Sequence, residues 1–211
     1  MKKKKKIIAI CIICIVAVVA VVGAFYLKKE MDLKKAIENL DNNYANLSEF
    51  KLEAPFDLSA LDTYEIRDLS SEEHKGIDFF GKPGTDTIPF LAMIDGVVTQ
   101  IEAHKMLNQE GSDNWAFQIL IAVNSKYRIN LNFETFGSSD EIKEMQKQNL
   151  FVKVGDFIKQ GDLIGNLIIC NLGSHVHFNI EKTDPYEQII PEPYFSETAM
   201  NLINDVFLCR V

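Results

Sequence analysis

Hydrophobic and polar positions divide this chain into three regimes. Residues 7–27, from Ile7-Ile-Ala through Phe25-Tyr-Leu, run without a single charge between the lysine block Lys2–Lys6 and the pair Lys28-Lys29. At about 1.5 Å of rise per residue, a helix of this length spans a bilayer core. The positive-inside tendency keeps the lysine block in the cytoplasm. This predicts a cytoplasmic segment 1–6, a transmembrane signal anchor 7–27, and a C-terminal domain outside the cytoplasm on a single-pass membrane protein. A cleaved signal peptide is the alternative, with Val22-Gly-Ala24 as its small-residue site and a secreted product. The apolar run, however, is longer than the roughly 7 to 15 residues of a signal core. In the second regime, 28–50, Leu33, Ile37, Leu40, Tyr44 and Leu47 recur at spacings of four and three. That stripe is shorter than the three or four heptads of a coiled coil, so a helical stalk lying against the domain is expected.

From residue 51 the period shortens to that of strands. The pattern breaks at Ala54-Pro-Phe-Asp, and Thr87 to Ile101 reads as two strands about the tight turn Asp95-Gly96. Trp115 to Val123 is continuously apolar, and the alternating run Tyr127 to Phe136 reads as its partner. Gly137-Ser-Ser-Asp-Glu141 has capping-box spacing and opens a helix through Gln148. Val152 to Gly165 is broken at Gly155, Gly161 and Gly165, a hairpin rhythm. Beyond Pro185 a loop is expected as far as Ser196, which can cap a last amphipathic helix through Ala199, Leu202, Ile203 and Val206. The fold class these elements predict is mainly β (α+β): an antiparallel β-sheet domain over 51–183, then a C-terminal extension with a helix over 184–211.

Charge narrows the partners. The formal net charge is −8, with 22 Lys and Arg against 30 Asp and Glu. Every acidic residue lies at or beyond Glu30, together with only 15 of the basic ones, so residues 30–211 carry −15 (15 minus 30). Such a surface repels phosphate backbones, which excludes nucleic acid as the expected partner. Cys11 and Cys14 sit in the apolar run without the small residues that precede a lipidation site. Cys170 and Cys209 are the only cysteines beyond it, and a disulfide between them is open in an oxidising compartment.

The candidate chemistry lies in His175-Val-His177-Phe. Residues two apart on a strand project to one face, so His175 and His177 point together. Adjacent imidazoles are a common zinc-ligand arrangement, although ordinary strand histidines are the other reading of the pair taken alone. A second cluster, His74-Lys-Gly-Ile-Asp78, sets a histidine and a carboxylate four apart. Together His74, Asp78 and His177 would form an N,N,O set with one tetrahedral position open, the pattern of a catalytic zinc. His104 lies in a polar stretch and reads as a surface-loop histidine.

Four segments in order resemble the lysostaphin-like, LytM-type zinc metallopeptidases that cut peptide bonds of bacterial cell-wall peptidoglycan. They are His74-Lys-Gly-Ile-Asp78-Phe, Ala92-Met-Ile-Asp-Gly96-Val-Val, Val152 to Gly165, and His175-Val-His177-Phe; the resemblance covers roughly 52–182. It implies an antiparallel LytM-type domain, a Zn2+ cofactor on His74, Asp78 and His177, and His175 as the group that orients or deprotonates the attacking water. It also implies a peptide or peptidoglycan substrate. The chain departs from the family in two places. A second catalytic histidine, in a Tyr-x-His run, falls on Phe133 when counted from Tyr127, with Glu134 immediately after it. The loop before His175, Ile168 to Ser174, is shorter and poorer in glycine than the family's. Glu134 would replace the missing imidazole if the register slipped by one residue, since a single step moves a side chain to the other sheet face; an exposed strand carboxylate is the alternative. Two functions follow: a membrane-anchored zinc endopeptidase, or a degenerate, non-catalytic module that binds or regulates.

Overall fold

The computed structural model describes residues 2–67, 69–107 and 113–208, with side chains from Cys14 onward except those of residues 107 and 208. It divides into two units, 1–36 and 37–211. The first is helical, part of α1 (Lys2–Leu40). Among the described residues no helix is long and apolar enough to cross a membrane; residues 7–13 of the apolar run lie outside the described side chains. Cys209 also lies outside the described residues, and with it the disulfide expected from Cys170.

The second unit is an antiparallel β half-barrel. Its strands are β1 (Tyr64–Ile66), β2 (Ile77–Gly81), β3 (Thr87–Leu91), β4 (Gly96–Leu107), β5 (Asp113–Ala122), β6 (Tyr127–Glu134), β7 (Phe157–Ile158), β8 (Leu163–Ile168), β9 (His175–Thr183) and β10 (Tyr186–Ile189). The large sheet runs β1-β2-β9-β6-β5-β4-β7, with β10 also paired to β9, and β3 and β8 form a separate ribbon. Period-2 alternation builds the core. Ile77 and Phe79, Val176, Phe178 and Ile180, Ile129, Leu131 and Phe133, and Phe117, Ile119 and Ile121 all project to one face and are buried. Ile88, Phe90, Ile164 and Leu167 of the ribbon join that core, as do Leu52, Phe56, Ala199, Ile203 and Val206. Each such aliphatic or aromatic side chain contributes about 1.5–3 kcal/mol when fully buried.

Three expectations about the strands are corrected. The segments either side of Asp95-Gly96 do not pair with each other: β3 pairs β8, while β4 pairs β5 and β7. The pieces within 152–168 likewise join different sheets, because Phe157 reaches Val97 and Leu163 reaches Leu91. Between Pro185 and Ser196, β10 pairs β9 from Tyr186↔Thr183 to Ile189↔Ile180, giving a hairpin where a loop was expected. The helices fall where they were expected, with one change of cap: Ser139, not the Ser138 of the Ser138–Glu141 spacing, caps the helix that opens at Asp140. Ser139 accepts from the Ile142 N–H at the start of α2 (Asp140–Gln148), and Ser196 accepts from the Ala199 N–H before α3 (Glu197–Leu208). The stalk stripe ends early: α1 stops at Leu40, a turn follows, and Leu40, Tyr44 and Leu47 pack on the domain. The C-terminal extension closes on the domain's first residues: the Leu52 N–H donates to the Tyr194 carbonyl and the Ser196 N–H to the Leu52 carbonyl.

Candidate metal centre

Register assembles the site. The β2–β9–β6 ladders set Asp78 opposite His177 and His177 opposite Asn132; one row on, Phe80 faces His175 and His175 faces Glu134. Directly paired residues share a face, so both rows project away from the Phe79, Val176 and Phe133 core. His74 precedes β2, in a turn held by the Ser71 hydroxyl accepting from the His74 N–H and the His74 carbonyl accepting from the Ser71 N–H.

Three ligand atoms converge there. His177 Nδ1 lies 2.7 Å from Asp78 Oδ1, His74 Nε2 lies 3.2 Å from His177 Nδ1, and His74 Nε2 lies 3.6 Å from Asp78 Oδ1. A tetrahedral zinc with bonds of about 2.0–2.1 Å requires ligand atoms about 3.3 Å apart, so the set fits the ion in spacing as well as in chemistry. Asp78 stays anionic for the role. Burial alone would raise its pKa, but the hydrogen bond from His177 and the nearby imidazoles outweigh that and hold it below the ordinary carboxylate value.

Gly76, inside the His-x-Gly-x-Asp run, is what allows the His177 ring to lie there. A Cβ on Gly76 would stand 2.4 Å from His177 Cε1 and 2.7 Å from the Phe178 carbonyl. Gly76→Ala should therefore displace the imidazole and weaken zinc binding about 10- to 100-fold, the range for lost support of a ligand. A competition titration against a zinc-sensitive dye measures this, and unchanged affinity would remove Gly76 from the site.

His175 and Glu134 form a second pair beside the ligands. A carbonyl can only accept, so the 2.7 Å contact between His175 Nδ1 and the Gly173 oxygen fixes the proton on Nδ1. Nε2 is then the working nitrogen, 3.3 Å from Glu134 Oε2 and 3.7 Å from Asp78 Oδ1. Burial raises the Glu134 pKa, partly offset by the His175 charge. Glu134 is buried, with His175 as its one ion-pair partner among the described residues. Buried Glu181, on the same face, is satisfied instead by Arg128, Asn130 and Tyr186. Glu181 reads as structure; Glu134 is left free for chemistry.

No register slip separates Glu134 from the site, because β6 turns its even-numbered side chains to this face. Phe133, at the position counted for an imidazole, is fully buried in the core. His104 is not in a loop. It lies in β4 opposite Ala116, which is opposite Glu134, so it shares the row of His175 without joining the ligand cluster. Sequence reasoning missed Gly76 and Phe80, although the glycine between His74 and Asp78 was a visible signal.

A β half-barrel with a His, Asp, His centre on its sheet face is the class this geometry defines. Solved peptidase structures are similar to it. The catalytic domain of the prophage-encoded M23 protein EnpA from Enterococcus faecalis is 19% identical with a TM-score of 0.43, over 68% of this chain and 98% of that one. A protein described as a peptidase M23 from Pseudomonas aeruginosa is 16% identical with a TM-score of 0.45, over 74% of this chain and 52% of that one. The antimicrobial peptidase lysostaphin from Staphylococcus simulans is 20% identical with a TM-score of 0.40, over 72% and 55%. The chain thus spans about half the length of the latter two. No model of a known protein family matches the chain, and no curated protein does.

Proposed function

We propose that this chain is a zinc-dependent endopeptidase acting on peptide bonds of cell-wall peptidoglycan or a related surface polymer. The observation that carries the reading is the convergence of three ligand atoms beside a buried His–Glu pair on one sheet face. His74 Nε2, Asp78 Oδ1 and His177 Nδ1 would hold the metal and leave one coordination position open. Zinc bound there supplies Lewis acidity, polarising a scissile carbonyl and acidifying water. The rest is done by the protein. With Nδ1 fixed on Gly173, only one proton fits between His175 Nε2 and Glu134, so the pair can accept the proton of an attacking water as the C–O bond forms. It returns that proton to the amine nitrogen as the C–N bond breaks. The −15 charge of residues 30–211 suits a cationic peptide better than an anionic polymer.

The test is chelator-sensitive cleavage of purified peptidoglycan and of oligoglycine peptides by the full chain. Bound metal without cleavage of either would favour the second reading, a non-catalytic binding or regulatory module. The observation behind that reading is Phe133, which puts a core side chain where an imidazole was counted. The uncharged run 7–27 supports a membrane anchor holding the domain outside the cytoplasm. An anchored chain stays with membranes through alkaline carbonate extraction, and a chain released by that treatment is not anchored.

A further inference from the structure

We propose that Phe136 is a positioning residue for His175, with its ring fixing the imidazole so that Nε2 faces Glu134. The inference rests on reading His175 and Glu134 as the proton-handling pair. Phe136 follows β6 with φ 54°, the one non-glycine residue with a positive φ among those described. A bulky side chain is strained in that left-handed conformation, which glycine or asparagine adopts readily. Core packing does not account for it, because Phe136 is only half-buried and stands outside the core cluster. Strained residues persist where their surroundings over-determine them, and they gather at functional sites.

The surroundings of Phe136 are those of His175. Its ring centroid lies 5.6 Å from the imidazole's, and Phe80 stands 4.7 Å away from that same imidazole. The loop before β9 grips both residues. Asn171 Nδ2 donates to the Phe136 carbonyl at 3.0 Å, and the Ser174 hydroxyl donates to the neighbouring Thr135 carbonyl at 2.6 Å. Between them, the Gly173 carbonyl holds His175 Nδ1 at 2.7 Å. Gly173 also makes room for the phenyl: a Cβ there would sit 3.0 Å from Phe136 Cδ1. One hydrogen bond at Nδ1 leaves the imidazole free to tilt about it, and the two flanking rings remove that freedom.

The experiment compares Phe136→Asn and Phe136→Tyr in the full, zinc-loaded chain. Asparagine relieves the backbone, so Tm should equal or exceed wild type and zinc stoichiometry should not change. Turnover should nonetheless fall about 10- to 100-fold, the scale of a misplaced catalytic group, in kcat with KM nearly constant. Tyrosine, which keeps the ring, should retain turnover. A readout independent of activity is solvent exchange of the His175 Nδ1–H by nitrogen-15 NMR, which should quicken in Phe136→Asn and not in Phe136→Tyr. Exchange as slow in Phe136→Asn as in wild type overturns the proposal, and so does wild-type kcat in that variant. If wild type cleaves no peptide, the peptidase reading fails and the exchange measurement alone decides the positioning role.

Discussion

A His177→Ala chain should lose stoichiometric zinc and all metal-dependent hydrolysis, where wild type carries about one ion per chain. His177 supplies the atom nearest both other ligands, 2.7 Å from Asp78 and 3.2 Å from His74. Without it two ligands remain, too few for the three-protein-ligand pattern of an open zinc site. The loss should exceed the roughly 10- to 100-fold that follows from removing an outer supporting partner. The fold should survive, because Val176 and Phe178 on the opposite face carry the packing of β9. Elemental analysis of both proteins gives the stoichiometry, and thermal melts with added zinc give an independent check. Ligand at 100 times its Kd stabilises a folded protein by about 2.7 kcal/mol, a rise that wild type should show and the variant should not.

The same variant should flatten the acid limb of metal-free stability. The folded-state pKa of Asp78 is depressed below its ordinary value of 3.8. The stability this contributes is present above 3.8 and is lost as pH falls through the lower, folded value. Removing His177 takes away the hydrogen bond and one of the imidazoles that together outweigh burial, so the folded value rises, and the loss should be smaller and finish at higher pH. Equal acid limbs in the two metal-free proteins would show that His177 does not set the Asp78 charge.

Glu134→Gln should separate turnover from both metal binding and stability. Glutamine keeps the shape but cannot take a proton, and a positioned acid–base group is worth about 10² to 10⁴ in rate. Zinc stoichiometry should not change, because Glu134 stands outside the converging set. Stability should move in the favourable direction. Burial raises the Glu134 pKa above 4.5, so the folded state holds its proton to higher pH than the unfolded chain does. That contribution is complete below pH 4.5 and is lost as pH rises through the folded value, leaving a buried charge at neutral pH. A neutral amide escapes that cost, so the variant should melt higher than wild type at pH 7 and no higher at pH 4. A fully active Glu134→Gln chain would remove the carboxylate from the mechanism, and a lower melting temperature at pH 7 would show it to be a structural anchor.

Local features were legible in the sequence, and long-range register was not. The two-residue spacing of His175 and His177 and the four-residue spacing of His74 and Asp78 speak for themselves, since strand and turn geometry fix which side chains travel together. Ser196 announced its helix by capping chemistry, and the Ser138–Glu141 spacing announced α2 although the neighbouring Ser139 is the residue that caps it. The partners of β3, β4, β7 and β8 could not be read, because an apolar strand pairs equally well with several others until the whole core is packed. The same lack left Glu134 ambiguous. Only the ladder to β9 shows that β6 turns its even-numbered residues toward the metal face. The polar neighbours of His104 read as a loop, yet a strand exposed on one face carries polar residues by design.

The bridge between Leu52 and Phe195, flanked by the hydrogen bonds to Tyr194 and from Ser196, sews the first strand-like residues of the domain to its last. It is a parallel contact far along the chain from β2, β6 and β9. The seam is also coupled to the core, because the Phe195 ring lies 5.8 Å from that of Phe178 on the buried face of β9. Fraying at either end of the domain is therefore opposed at one and the same seam, by backbone hydrogen bonds and by the core together.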